Sequence, residues 1–249
     1  MPESLIAELD ILYQDADLVA VNKPNGLLVH RSNLALDAKQ FAVQILRSQL
    51  MGRHVYPCHR IDRKTGGVLL FALDPEMARA IQDEFMAGRM DKRYLALVRG
   101  WFPEEITVDY PITNHEGKTG DAVTVFRRLD KTEVPVPFGK HTTSRYSLIE
   151  ARPLTGRTHQ IRRHCDHIFH PIIGDRPHGC NKQNKLFLET WGMTTMLLHA
   201  HQLSFTHPRT KEAVLITAPL QSEFLRMLDV LGFGGEELRS GGVEELFRY

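Results

Sequence analysis

The chain has 249 residues, 42% hydrophobic and 24% charged, which is enough for a substantial core and ordinary for a globular protein. Apolar runs such as Val68 to Leu73 are far too short to span a bilayer, the opening MPESLIAELD does not read as a secretory signal, and three cysteines (Cys58, Cys165, Cys180) are too few for a disulfide framework, so a reducing cytoplasm is expected. The net charge of +1 names no polyanionic partner, but basic residues gather at 60–64, 92–93, 127–128 and 157–163, so one basic face is expected, and thirteen His add positive potential below neutral pH.

In chain order, Ile11-Leu12-Tyr13 and Leu18-Val19-Ala20-Val21 read as two short strands around a turn. Lys23-Pro24-Asn25-Gly26 is a turn, with Pro presetting φ and Gly free for positive φ, and Leu27 to His30 returns as a third strand. Asp37 is placed to cap a helix reaching about Leu50, with Phe41, Ile45 and Leu46 on one face. The next helix has clearer punctuation: Asp74 as N-cap, Pro75 at the first position, Gly88 past the end, and a stripe of Met77, Ile81 and Phe85. Lys92 to Arg99 is a strand. The polar stretch Asn114 to Thr143, rich in Gly and Pro, reads as a hairpin or an insertion. Ser144 to Glu150 resumes strand character, Gly156 to Phe169 reads as a helix, and His170 to Asp175 as a tight turn. Strands at Met196–Ala200 and Val214–Thr217, a helix at Phe224–Leu231 and a Gly/Glu-rich tail from Gly232 complete the chain. The mixture lacks strict βαβ alternation, which predicts an α+β fold around a largely antiparallel sheet.

The chemistry concentrates in Tyr56 to Leu70, YPCHRIDRKTGGVLL. It sets one carboxylate, Asp62, among His59, Arg60, Arg63 and Lys64, ahead of the Gly66-Gly67 pair and a buried-strand run. A carboxylate among cations suits a nucleophile or a base better than a proton donor. The plain alternative is an Asp that caps a turn or pairs with a neighbouring Arg. Thr155 to His164, TGRTHQIRRH, offers several donors on about two helical turns. Thr158 and Arg162 would share one face of that helix, and a guanidinium there could grip Asp62 bidentately; the alternative is a solvated basic face. Tyr94 is either a core aromatic or a ring that stacks on a base or moves a proton. His164, Cys165, His167, His170, His178 and Cys180 fit no familiar closed zinc site, and no CxxC is present, so no metal is expected. The HRID sequence is not a kinase catalytic loop, since neither a GxGxxG loop nor an Asp-Phe-Gly accompanies it.

The blocks DLVAVNKPNGLLVH (17–30), HRIDRKTGG (59–67), KRYLALVRG (92–100), TGRTHQIRRH (155–164), HPIIGD (170–175) and LLHAHQLSFTHP (197–208) together resemble the RluA-type pseudouridine synthases. They follow the family's order and cover most of 11–217, and HRxDxxT with GRxHQxR is a specific pair. The resemblance implies one catalytic domain over 1–231, with 114–143 as an insertion and 232–249 as a tail. Its fold would be a bent, largely antiparallel mixed sheet flanked by helices around a central RNA-binding cleft. No room is expected for the N-terminal S4 module of the family's ribosomal branch, because the first motif starts near residue 11. The resemblance further implies Asp62 as the essential aspartate, Tyr94 as the ring against the target base, Arg162 as the partner of the aspartate and Leu198 as the apolar wall. Lys23, His30, Arg60, Arg157 and His159 are expected to bind substrate. Ile61 and Gly66 depart from the usual Leu and Ser without touching the chemistry.

The reaction makes physical sense. A stacked uridine must be flipped before its glycosidic bond can be reached, at a cost of a few kcal/mol. Basic residues hold the phosphates while aromatic and aliphatic walls sandwich the base. Rejoining the base through carbon 5 needs no redox step, energy source or cofactor, and one carboxylate can serve by attack or by proton abstraction. The resemblance implies a tRNA uridine as substrate, in the subgroup acting at position 65 of the T-stem, and a monomeric enzyme is expected. A ribosomal RNA substrate or a non-catalytic RNA-binding role are the competing readings.

Overall fold

The computed structural model describes residues 8–30 and 40–234. The elements begin with β1 (Asp10–Gln14), β2 (Leu18–Lys23), α1 (Ala42–Gln49), β3 (Tyr56–Pro57), β4 (Gly66–Ala72) and α2 (Pro75–Met86). They continue with β5 (Asp91–Arg99), β6 (Glu105–Asp109), β7 (Ile112–Thr113), β8 (Thr119–Gly120), β9 (Val123–Val134) and β10 (Ser144–Pro153). The last are α3 (Gln160–His167), α4 (Asn181–Trp191), β11 (Leu198–Thr206), β12 (Ala213–Thr217) and α5 (Ser222–Val230). Two compact units emerge: one takes the chain up to Arg93 and again from His199 to Pro219, the other takes Tyr94–Leu198 and the chain from Leu220.

In the first unit, β4 is the spine. Every residue of GGVLLFA is buried, as a continuous apolar run should be. β2 runs antiparallel along one edge, from Leu18↔Ala72 to Lys23↔Gly67. The other edge takes β11, parallel at His199↔Gly66 and Ala200↔Gly67, and then β3 at Tyr56↔Ala72. β12 extends the sheet antiparallel to β11. Gly67 is required where β4 meets β11: it holds φ 108, and a Cβ there would lie 2.1 Å from the Ala200 carbonyl oxygen. α2 starts as its sequence predicts, with Asp74 Oδ1 accepting from Met77 N at 2.8 Å and Met77 and Ile81 buried; Phe85 packs at the rim. α1 buries Ile45 and Leu46 beside Phe41, but it begins at Phe41 without a side-chain cap, and Asp37 lies outside the described residues.

The second unit is built on β5-β10-β9-β6, antiparallel throughout, with β7 and β8 as a separate hairpin. Its core divides between a cluster around Tyr146, Phe187 and Leu228 and another around Phe126, Ile161 and Leu198. No helix among the described residues is long and apolar enough to cross a membrane.

Several expectations are corrected. Leu27–His30 is not a strand: only Leu28 makes a bridge, to Phe41, because the carbonyls of Leu27, Leu28 and Val29 serve Lys23 Nζ and the backbone N–H groups of Ala42 and Val43. Within 114–143, read as a hairpin or an insertion, β9 runs between β10 and β6 with Phe126 wholly buried, so the stretch is part of the sheet and turns back into β10 as a hairpin. The helix expected from Gly156 starts only at Gln160, so Thr158 and Arg162 share no helical face. α4 had no counterpart in the sequence reading. The chain does not leave the core at Gly232 either, because Phe233 is buried beside Leu228 and Leu231.

Candidate active site

Asp62 lies half-buried on the loop between β3 and β4. The loop is set from upstream. Cys58 N donates to Leu70 O at 3.0 Å, and Leu70 N donates back to His59 Nε2 at 3.0 Å, so residues 58–59 continue the edge that β3 begins. Burial, with Lys92 adding a smaller positive field, holds the His59 imidazole down to about 3, which keeps Nε2 free to accept. The His of the HRID sequence is thus a strand-edge acceptor packed on Phe85, with ring centroids 4.9 Å apart. Thr65 N donates to Asp62 O at 3.0 Å and closes the turn.

Beneath this loop sits Lys23, 0% exposed. Its ammonium donates to the carbonyls of Pro24 (2.9 Å), Leu27 (2.9 Å) and Arg63 (3.1 Å), which ties the Pro24–Gly26 turn to the Asp62 loop. Gly26 N to Arg63 O at 2.8 Å and Arg63 Nε to Gly26 O at 2.9 Å close the same seam. Burial lowers the ammonium to about 7 against the opposing pull of Asp62. A lysine without accessible surface is a brace under the loop and not the substrate contact expected of it. His30 and Arg60 are exposed.

In the second unit the segment Thr155–His164 is organised by Gln160, 4% exposed. Its Oε1 accepts from the Thr155 hydroxyl (2.7 Å) and Arg157 N (3.0 Å), and its Nε2 donates to Val123 O and Thr124 Oγ1, both at 3.0 Å. His159 takes a left-handed conformation at φ 57 and its Nδ1 lies 3.0 Å from His178 Nε2. Arg157 is exposed and donates from Nε to Asp121 O at 3.0 Å.

Arg162, on α3 and 6% exposed, grips Asp175 bidentately, Nε to Oδ2 at 2.7 Å and Nη2 to Oδ1 at 2.8 Å. Asp175 was missed as a partner because it ends the HPIIGD turn, which reads as a turn only. The turn itself is tightly made: Gly174 holds φ 82, a Cβ there would lie 1.9 Å from Thr195 O, and Asn184 bonds both Gly174 N and Asp175 O, at 2.9 and 2.6 Å. Half-buried Tyr94 packs against the cluster that holds Leu198, Ile161 and Met196. His164 is spent on structure, its ring nitrogens 3.0 Å from Thr124 Oγ1 and Tyr110 O. Among the described residues no group of His, Cys, Asp and Glu is placed to hold a metal ion.

Known proteins similar to this chain share one family. Residues 17–167 match the family model of the RNA pseudouridylate synthases. A protein of Haemophilus ducreyi named tRNA pseudouridine synthase C is 45% identical over 91% of this chain and 97% of its own length. A protein of the same name from Salmonella typhi is 43% identical over 91% of each chain. Among solved structures, the human RNA pseudouridylate synthase domain containing 4 superposes with a TM-score of 0.72 at 26% identity, covering 91% of this chain and 94% of that one. The human RNA pseudouridylate synthase domain containing 1 gives 0.69 at 25% identity, covering 93% and 98%.

Proposed function

The chain belongs to the RNA pseudouridylate synthase family, and on that footing we propose that it isomerises a uridine of tRNA to pseudouridine, at position 65 in the T-stem. One observation carries the choice of tRNA: the 43–45% identity, along nine-tenths of this chain, with proteins named tRNA pseudouridine synthase C. In this reading both units serve one catalytic domain, working as a monomer in the cytoplasm without a cofactor.

The uridine leaves its stack at a cost of a few kcal/mol, and Tyr94 and Leu198 supply the aromatic and aliphatic surfaces for the base. The C1′–N1 bond then breaks with its electron pair going to N1. The freed uracil turns, carbon 5 bonds to C1′, the carbon-5 proton leaves to water and N1 takes one up. Electrons and protons balance, so no oxidant or metal is called for. Asp62 acts either by attacking C1′ or by removing a ribose proton. Arg162 is assigned to orient Asp62, itself braced by Asp175, while Arg60, His30, Arg157 and His159 receive the RNA backbone.

Tritium release from tRNA transcripts labelled at carbon 5 of uridine tests the reading, because bond formation there expels the hydrogen. Release by wild type, with the product mapped to one T-stem position, is the expected result. Release from ribosomal RNA alone would overturn the substrate, and silence with both RNAs would overturn the activity.

A further inference from the structure

A cavity of about 180 Å³ opens in the second unit where the end of β5 meets the loop joining β9 to β10. Phe138 and His141 exchange both backbone hydrogen bonds, at 3.0 and 3.1 Å, and close the loop into a tight turn with Lys140 exposed at its tip. The wall opposite carries Arg99, whose guanidinium stands 5.3 Å from the Phe138 ring centroid. Among the described residues no carboxylate lies within ion-pair distance of Arg99. Arg145 stacks 4.0 Å from the centre of the Trp101 ring, and Lys131 Nζ lies 5.4 Å from the same ring. The nearest acid is Glu133, which sits 3.3 Å from Arg145 Nε and accepts from the Thr143 hydroxyl at 2.5 Å. Two guanidinium groups, Arg99 and Arg145, therefore line the opening, and the carboxylate of Glu133 is already engaged on two sides.

We propose that this cavity is a second RNA-docking site, which takes a backbone phosphate between Arg99 and Arg145 beside the surfaces of Trp101 and Phe138. Guanidinium forks match the oxygens of a phosphodiester. Both forks are held in advance by aromatic rings, so little side-chain freedom is lost on binding. Cations beside exposed aromatic faces are what a nucleic-acid strand meets favourably. Arg99 lies five residues along β5 from Tyr94, roughly 17 Å at the rise of a strand. The phosphate bound here thus belongs to a different part of the RNA from a base lying at Tyr94. That the anion is the substrate RNA rests on the proposed function; that the cavity takes a phosphate does not.

The test uses the full chain with intact tRNA, measuring filter binding across a salt series together with steady-state tritium release. Arg99→Glu is expected to weaken binding about tenfold, the scale of one charge-assisted hydrogen bond. It should lower the slope of log K against log salt by about one. KM should rise while kcat stays within about twofold, because the reacting atoms are untouched. Arg99→Lys should keep most of the affinity. Lys140→Glu, at an exposed tip, should move binding the same way by less and guards against misfolding of the first variant. A short stem-loop carrying only the target region should bind wild type and Arg99→Glu alike. Unchanged affinity and salt slope in both Glu variants would overturn the site, as would an equal loss with the short stem-loop. Protection of residues 135–143 from hydrogen exchange by millimolar inorganic phosphate as strong as by tRNA would reduce it to a site for the free ion. Wild type that releases no tritium yet loses RNA affinity on Arg99→Glu would overturn the proposed function and leave this site standing.

Discussion

Asp62 and Asp175 carry the same carboxylate and are held in opposite ways. Asp175 is 0% exposed, with both oxygens on the Arg162 guanidinium and its turn braced through Asn184. Asp62 is half-buried on a loop whose backbone is braced from below: Lys23 bonds the carbonyls of Pro24, Leu27 and Arg63 around it. A saturated, sealed carboxylate keeps a neighbour in place; a carboxylate on a fixed backbone with some accessible surface is the one that can meet a substrate. The difference supports the proposed roles, chemistry for Asp62 and framework for Asp175.

The sharpest way to break that comparison is to remove each acid in turn. Asp62→Asn should lower tritium release by about 10⁴-fold or more, the scale for loss of a catalytic nucleophile, with RNA affinity and urea midpoint close to wild type. A normal midpoint with normal turnover would return Asp62 to the status of a turn residue. Asp175→Ala should instead cost about 3–5 kcal/mol in urea unfolding, because it leaves a buried guanidinium unpaired. The double variant Arg162→Met/Asp175→Leu should recover part of that stability and none of the activity. Should Asp175→Ala unfold at the wild-type urea concentration, the buried pair would not be the brace described.

Lys23→Met sharpens the comparison from the side of Asp62. It orphans three loop carbonyls and should cost about 1–3 kcal/mol. Burial lowers the ammonium to about 7 in the folded state, against about 10.4 in the unfolded chain. Between those values the unfolded chain binds more protons, so wild-type stability should rise with pH from about 7 to 10.4. The methionine variant should lack that rise, which urea titrations at several pH values would read directly. A matching effect on the acid side concerns His59 and His199, both pushed by burial down to about 3. The unfolded chain protonates them near 6.5, so stability should fall as pH drops from 6.5 towards 3. His199→Gln should lessen that fall across the whole interval; an unchanged acid limb would remove His199 from the account.

Much of this was legible in the residues. Asp74 before Pro75, the Met77-Ile81 stripe and the apolar run of β4 carry local signals strong enough to place their elements. Tyr94 and Leu198, whose roles only the resemblance implied, lie at one cluster. What stayed hidden depends on partners distant in sequence. Nothing in KPNG says that Lys23 will point inward to the carbonyl of Arg63, forty residues on. The bond from Arg162 to Asp175 depends on a turn that only Gly174 and Asn184 together allow. α3 starts late because His159 adopts a left-handed conformation, a choice a helical propensity count cannot see. α4, polar over most of its surface, shows only Phe187 and Trp191 as a four-residue stripe, with Gly192 at φ 67 as its stop.

The parallel pairing of His199 with Gly66 has a consequence for how the chain is made. Roughly 130 residues separate the two strands, so at 5–20 residues per second the ribosome needs on the order of 7–26 s to deliver the partner after β4 has appeared. Throughout that interval the Gly66–Gly67 end of β4 lacks its partner on that edge, while β3 and residues 58–59 already pair the rest, and the open end is an invitation to mispairing with a neighbouring nascent chain. The first unit cannot close until the sequence of most of the second has been translated, so its folding is expected to wait for the last quarter of synthesis and to lean on chaperones in the meantime.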